Sequence, residues 1–179
     1  TGGIRGGRKR LTKRFYPRTF NLGCRKALFE SLGGFDETMR YGEDIDFSMR
    51  LYEAGSRVVL LPEAVLYHKR RVDLRKFYRQ VWHSGTARVE LSRRHPGSMR
   101  LTYLLPSLFV VTTLVVTLLA LWCPWFWLYH LLFIVSLFAD ALYRTQSVAV
   151  AWRAVVASFV QLSGYGIGYL SQRVKRCKA

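Results

Sequence analysis

The chain has 179 residues, half of them hydrophobic, and its 28 Lys and Arg residues outnumber its 11 Asp and Glu residues, giving a formal net charge of +17. This charge disfavours cationic partners and favours anionic ones such as lipid head groups, phosphates or nucleic acid. Three widely spaced cysteines match no metal-binding or disulfide pattern, which argues against a zinc module and a disulfide-stapled domain.

The charged residues are concentrated in the first part of the chain. Residues 101–139 contain no Asp, Glu, Lys or Arg, and Asp140 is the only acidic residue after residue 100. Because such an apolar region requires a membrane, lipid is the simplest anionic partner, and we expect no nucleic-acid partner. The chain starts at Thr1 with basic sequence ahead of any apolar run, so we expect the C-terminal piece of a longer protein without a signal peptide.

The region up to residue 72 predicts two helices and a strand. Residues 25–32 favour a short helix that ends at the following glycines, and residues 43–54 favour a second helix that ends at Gly55. Residues 57–62 form a short apolar run ended by proline, which is typical of a buried strand. Interleaved helices and a strand predict the α/β class for residues 1–72.

Residues 73–100 predict an amphipathic helix that Asp73 caps. Apolar side chains recur at helical spacing on one face, and cations lie largely on the other. Such a helix is suited to the membrane interface. The alternative is that its apolar face packs on the core of the domain.

Residues 101–179 predict an α-helical membrane region. The apolar runs 104–122 and 127–143 are each long enough for a span, joined by a turn rich in Trp. This hairpin places Arg100 and Arg144 on one side, which the positive-inside rule makes cytoplasmic. A third apolar segment, 148–170, is followed by a basic tail and is predicted either to span or to re-enter the membrane.

An acidic pair, Glu43 and Asp44, stands at the start of the second predicted helix, just after a glycine-marked turn. A carboxylate in this position can accept a proton from a hydroxyl group. Adjacent helical residues point about 100° apart, so one of the two is the candidate base and the other orients or caps. The alternative is structural, because helix N-termini favour carboxylates in any case.

Other polar residues are weaker candidates. Asp46 fits a helix-start role, and Asp36 and Glu37 fit turn chemistry better than catalysis. His68 is a candidate metal ligand, although it would need carboxylate ligands from elsewhere, and the remaining histidines rank below it. No nucleophile elbow is present.

Three stretches together resemble the C-terminal part of a family 2, GT-A type, inverting glycosyltransferase with a membrane anchor. They are residues 21–29, residues 32–37 and residues 42–51, followed by Gly55 and Pro62. Residues 79–85 and the two spans after them are similar to membrane-bound members that build bacterial exopolysaccharide or lipid-linked glycans. The resemblance implies that residues 1–72 are the acceptor-side portion of an α/β GT-A domain.

The resemblance also implies a mechanism. Asp44 would be the general base on the acceptor hydroxyl, Glu43 would position the acceptor, and Arg79, Gln80 and Trp82 would face the acceptor or diphosphate. A nucleotide-sugar would be the donor, and a lipid-linked glycan or polysaccharide would be the acceptor. A divalent cation, Mg²⁺ or Mn²⁺, would be held mainly by a nucleotide-binding half that the sequence does not contain, so the fragment alone would be inactive.

The resemblance implies a location in the bacterial inner membrane, with the catalytic part and its membrane-lipid contacts on the cytoplasmic side. The alternative function is a non-enzymatic basic membrane adaptor that binds anionic lipid. Under the alternative, substitution of Asp44 would leave function intact, whereas charge reversal around residues 69–79 would abolish it.

Overall fold

A computed structural model describes residues 16–61, 64, 65, 67 and 73–177, with side chains as far as Lys175. Its six α-helices are Lys26–Ser31 (α1), Glu43–Glu53 (α2), Leu74–Arg94 (α3), Leu105–Leu119 (α4), Trp127–Thr145 (α5) and Val148–Cys177 (α6). Short 3₁₀ helices occupy Thr19–Asn21, Leu101–Tyr103 and Pro124–Phe126.

The described residues fall into two compact units. The first unit comprises the residues up to 70 together with Arg93–His95. The second unit comprises residues 71–92 and those from 96 onward. The boundary passes through the last turn of α3, so the end of this helix belongs to the first unit.

Aromatic packing of α1 against α2 forms the core of the first unit. The Phe47 ring on α2 is fully buried and lies 5.0 Å from the Phe29 ring and 5.4 Å from the Phe35 ring. The chain reverses between these rings through Gly33 and Gly34, which have φ angles of 75° and 64°. Residues with a side chain rarely adopt positive φ angles, so glycine is required at these two positions to bring Phe35 back onto α2.

Close backbone contacts between α3 and α6 characterise the second unit. A Cβ atom built at Gly85 of α3 would lie 2.2 Å from the carbonyl oxygen of Tyr165 on α6. One built at Gly168 of α6 would lie 2.2 Å from the carbonyl oxygen of Trp82 on α3. The glycines therefore allow the two helix backbones to touch. The apolar face of α3 packs here on protein, and the interfacial position of the helix stays a prediction.

The prediction of an α/β, GT-A type domain is wrong for the residues that the structure describes. Residues 57–61 of the expected strand have no regular structure, Pro62 lies outside the described residues, and every regular element of the described residues is helical. A strand forms only when its N–H and C=O groups pair with a neighbouring strand. Within the described ranges no second extended segment pairs with residues 57–61, so the apolar run does not make a strand.

The helix predictions are confirmed for the first three helices. The predicted ranges 25–32 and 43–54 correspond to α1 and α2 to within two residues at each end, and the amphipathic segment predicted over 73–100 contains α3, which ends at Arg94. The Asp73 carboxylate accepts hydrogen bonds from the backbone N–H groups of Arg75 and Lys76, as a helix cap does. The local signals of glycine, cap and apolar spacing were therefore sufficient for these elements.

Two helical segments, Pro124–Thr145 and Val148–Lys175, are long and apolar enough to cross a membrane. The third predicted segment, 148–170, lies within α6, which runs unbroken for 30 residues. The first predicted segment, 104–122, contains α4, an apolar helix of only 15 residues. Length and composition alone support these two candidates, and the position of each helix in a membrane stays a prediction.

Candidate active site

Helix α2 begins with a cluster of carboxylates. Gly42 precedes the helix with a φ angle of 84°, and Glu43, Asp44 and Asp46 all lie in the first turn. The unpaired N–H groups of a helix start carry partial positive charge, which favours carboxylates in this turn. Glu43 is partly exposed, whereas Asp44 and Asp46 are buried.

Arg18 holds the carboxylate of Asp44. The Arg18 Nη1 atom lies 3.4 Å from Asp44 Oδ1, and the N–H of Ile45 donates to the same oxygen at 2.8 Å. Among the described residues, both hydrogen bonds to this side chain therefore end on Oδ1. Oδ2 accepts no hydrogen bond from the described residues.

Asp46 lies two residues further along and belongs to a separate ion-paired group. Its Oδ2 atom accepts from Arg50 Nε at 2.9 Å, and its Oδ1 atom lies 2.9 Å from His95 Nε2. The other ring nitrogen of His95 lies 2.6 Å from Glu53 Oε1. The histidine therefore bridges two carboxylates that stand seven residues apart on α2.

Arg50 connects α2 to the glycine turn. Besides Asp46, its guanidinium donates to the backbone carbonyl oxygens of Leu32 and Gly34, the latter at 2.7 Å. The planar group presents several donors in fixed directions, which is why an arginine can hold a helix and a turn at once. The turn that returns Phe35 to the core is thus fixed to the helix that carries Asp44.

Arg94 is the last residue of α3 and pairs with residues of the loop before α2. Its guanidinium pairs with Asp36 and donates to the hydroxyl of Thr38 at 2.9 Å. The hydroxyl and N–H of Thr38 donate to Asp36 at 2.6 and 2.8 Å. The hydrogen bond from the Thr38 hydroxyl, followed by that from Arg94, lowers the pKa of Asp36 from 3.8 to about 2.

The cleft between these groups has a volume of about 630 Å³ and lies within the first unit. It is lined by Gly33, Phe35, Asp36, Glu37, Asp46, Arg50, Glu53, Arg94 and His95. Most of these side chains are charged or polar, so the cleft suits a polar occupant. Asp44 lies at the start of the same helix but does not line this cleft.

We expect Asp36 to stop contributing to the stability of the folded protein in acid. Because the pKa of Asp36 is lower in the folded state than its usual 3.8, its ionised form stabilises the fold above about pH 4, and this contribution disappears as the pH falls through about 2. Asp36→Asn should therefore unfold at a lower temperature than the wild type at about pH 6, and the two should converge at about pH 2. Circular dichroism in detergent measures both.

Glu30→Gln provides the control for this comparison. Glu30 forms an exposed pair with Lys26, so its replacement should change little at either pH. A difference between Asp36→Asn and the wild type that stays constant from pH 6 to pH 2 would contradict the expectation.

The remaining predicted site residues lie elsewhere. Arg79 and Gln80 are exposed on α3, and the Trp82 ring stands edge-on to His83 with ring centres 5.0 Å apart. All three belong to the second unit, whereas Glu43 and Asp44 belong to the first. His68, the predicted metal ligand, lies outside the described residues.

In the part of the chain that the structure describes, no three His, Cys, Asp or Glu side chains lie close enough together to bind a divalent cation. The carboxylates of the cleft are instead paired with Arg50, Arg94 and His95. The described residues therefore do not fit a metal site, and we derive no step through a metal.

The sequence profile of the glycosyl transferase family group 2 matches residues 8–160. The chain belongs to this family. It is also 43% identical over 74 residues to the pre-mycofactocin glycosyltransferases of two strains of Mycobacterium tuberculosis, CDC 1551 / Oshkosh and H37Rv. The aligned part is 41% of this chain, and the chain covers 16% of the length of each of these curated relatives. No solved structure matches the chain significantly.

The membership in glycosyl transferase family group 2 confirms the family predicted from the residues around Asp44. The match gives the family alone, and the donor, the acceptor, the inverting mechanism and the membrane anchor stay predictions. The roles of Glu43, Asp44, Arg79, Gln80, Trp82 and His68 stay predictions, because the comparisons give no residue roles.

Proposed function

We propose that this chain is part of a membrane-associated glycosyltransferase that moves a sugar from a nucleotide-sugar to a hydroxyl of a lipid-linked glycan or polysaccharide, with inversion at the anomeric carbon. Two observations support the proposal: the family match over residues 8–160, and the buried carboxylate of Asp44 at the start of α2. The carboxylate carries the argument, because transfer to a hydroxyl requires a base within reach of its proton.

In the proposed reaction Asp44 Oδ2 accepts the proton of the acceptor hydroxyl. The oxygen forms a bond to the anomeric carbon, and the bond from that carbon to the phosphate oxygen breaks, so its electron pair leaves with the nucleoside diphosphate. Arg18 holds Oδ1 of Asp44 and thereby fixes the direction of Oδ2. Glu43, partly exposed in the same turn, is suited to bind a second hydroxyl of the acceptor.

The departing diphosphate gains negative charge that must be offset. Mg²⁺ or Mn²⁺, if it were bound by residues other than the described ones, would supply part of this positive charge. The cations of the chain supply the part that the described residues contribute. Arg79 is exposed on α3 and is the proposed diphosphate-facing cation, with Gln80 and Trp82 beside it.

The membrane part of the proposal rests on α5 and α6. None of the most apolar 18-residue window of Pro124–Thr145 is buried within the protein, whereas the core helix of a soluble protein would be mostly buried. Trp122 and Trp125, each 81% exposed, stand at the start of this segment, as aromatic side chains do at a membrane interface. We place Arg100 and Arg144 on the cytoplasmic side of a bacterial inner membrane.

Sugar transfer by the intact protein tests the proposal. Membrane vesicles that contain it would be incubated with a panel of labelled nucleotide-sugars and extracted lipid-linked acceptor, and pre-mycofactocin, for which the mycobacterial relatives are named, would be a second acceptor. Label that enters either acceptor only in the presence of the protein supports a transferase.

A lack of transfer from every donor would contradict the proposal and favour the basic adaptor. In that case charge reversal of the exposed cations Arg75, Lys76 and Arg79 should abolish binding to vesicles that contain anionic lipid.

A further inference from the structure

His95 is a buried histidine whose two ring nitrogens both face carboxylates. Its residue exposure is 8%, and the partners are Asp46 Oδ1 at 2.9 Å and Glu53 Oε1 at 2.6 Å. An ionised carboxylate only accepts hydrogen bonds, so each contact needs a proton on the ring nitrogen. The imidazolium, which carries both protons, satisfies both contacts at once.

Charged side chains surround His95 in the cleft. Asp46 and Glu53 of α2 contact the ring directly, and Asp36, Glu37, Arg50 and Arg94 are the other charged groups that line the cleft. Arg50 is paired with Asp46, and Arg94 with Asp36. The described side chains that bond the ring of His95 are therefore both carboxylates.

The contact with Asp46 reaches the first turn of α2. The N–H of Asp46 donates to the carbonyl of Gly42 at 2.9 Å, which is the first hydrogen bond of the helix, and Asp44 lies inside this turn. Asp46 is fixed by Arg50 on one oxygen and by His95 on the other. Any movement of Asp46 would therefore move the backbone that carries Asp44.

We propose that His95, as an imidazolium held between Asp46 and Glu53, is a positioning residue that fixes the first turn of α2 and with it the direction of the Asp44 carboxylate. The inference rests on the proposed function of Asp44. It assigns His95 no contact with substrate, so its effect should fall on the catalytic rate more than on the binding of the donor.

The geometry predicts a particular effect of Glu53→Gln. In the wild type, a ring with a single N–H would leave one of the two carboxylates without a donor. In Glu53→Gln the new amide can accept from Nδ1–H through its oxygen or donate to an unprotonated Nδ1, while Nε2–H still donates to Asp46 in either case. Transfer should therefore be retained in this variant, although the carboxylate has been removed.

The experiment measures kcat and KM for the intact protein in vesicles, with wild type, Glu53→Gln, His95→Gln and the control Glu30→Gln. His95→Gln should lower kcat by about tenfold to a hundredfold with little change in the KM for the donor, the scale of a displaced catalytic group. Glu30→Gln, which removes an exposed carboxylate from α1, should leave both kcat and KM at their wild-type values.

A second measurement reads the ring itself and needs no activity. In protein with ¹⁵N-labelled histidine, the His95 signals are assigned by their loss in His95→Gln, and they should be those of an imidazolium at about pH 7.

A wild-type kcat in His95→Gln would overturn the inference, as would a neutral His95 ring at about pH 7 in the wild type. Failure of the proposed function is distinguishable, since it would appear as no transfer by the wild type from any donor. The histidine signals would then still decide, and a neutral ring would overturn the inference independently.

Discussion

Asp44→Asn is expected to reduce sugar transfer by about a hundredfold or more, the usual range for a general base. Asparagine has nearly the same shape as aspartate, and its carbonyl oxygen can still accept from Arg18 and from the N–H of Ile45, as Asp44 Oδ1 does. The group facing the acceptor would then be an amide, which cannot take up the hydroxyl proton. The loss should appear in kcat, measured as label transferred to the acceptor by the intact protein in vesicles.

Asp73→Asn is the control for effects on folding, and Glu43→Gln tests the neighbouring carboxylate. Asp73→Asn alters the exposed cap of α3, and because asparagine caps a helix about as well as aspartate, transfer should change little. Glu43→Gln should weaken acceptor binding and raise the KM for the acceptor more than it lowers kcat. If Asp44→Asn transferred sugar at the wild-type rate, the base would be Glu43 or another residue.

Gly85→Ala should destabilise the second unit, although alanine has a higher helix propensity than glycine. Helix propensity alone predicts a gain of about 1 kcal/mol for this change. The new Cβ atom, however, would lie 2.2 Å from the Tyr165 carbonyl oxygen and 2.9 Å from the Tyr169 backbone nitrogen. Backbone atoms of a neighbouring helix cannot rotate away, so α3 and α6 must separate, which costs about 3 kcal/mol or more.

The steric cost exceeds the gain in propensity, and the unfolding temperature in detergent should fall by about 5 °C or more. Gly23→Ala is the matched control, because a Cβ atom at Gly23 would meet nothing within 4 Å. A Gly85→Ala protein at least as stable as the wild type would show that the α3 and α6 backbones do not approach as closely as the structure has them.

Local signals in the sequence predicted the helices well. Glycine at the end of α1, the cap at Asp73 and the apolar spacing in α2 each act within a few residues, so they can be read without knowing the partner of the element. The strand at residues 57–62 failed for the opposite reason. Strand formation depends on a pairing partner that may lie anywhere in the chain, and an apolar run does not reveal it.

The candidate site was predictable only in part. Asp44 was found because it lies in a recognisable stretch of sequence at a helix start. From the sequence, Asp46 fits a helix-start role, Asp36 and Glu37 fit turn chemistry, and His95 ranks below His68. The contacts of the cleft join residues that are far apart in the sequence. His95 is 49 residues from Asp46, and Arg94 is 58 residues from Asp36. A histidine directly after Arg93 and Arg94 carries no signal that it will meet two carboxylates.

Helix α4 has 15 residues and therefore rises only about 22 Å, whereas the hydrocarbon layer of a typical bilayer is about 30 Å thick. Were α4 to lie across the bilayer, the turn at Cys123 would fall short of the far surface, and the exposed rings of Trp122 and Trp125 would draw the lipid head groups towards it. Such hydrophobic mismatch makes the surrounding lipid locally thin. The short helix would then give the protein a preference for lipids with shorter acyl chains, independently of any recognition of their head groups.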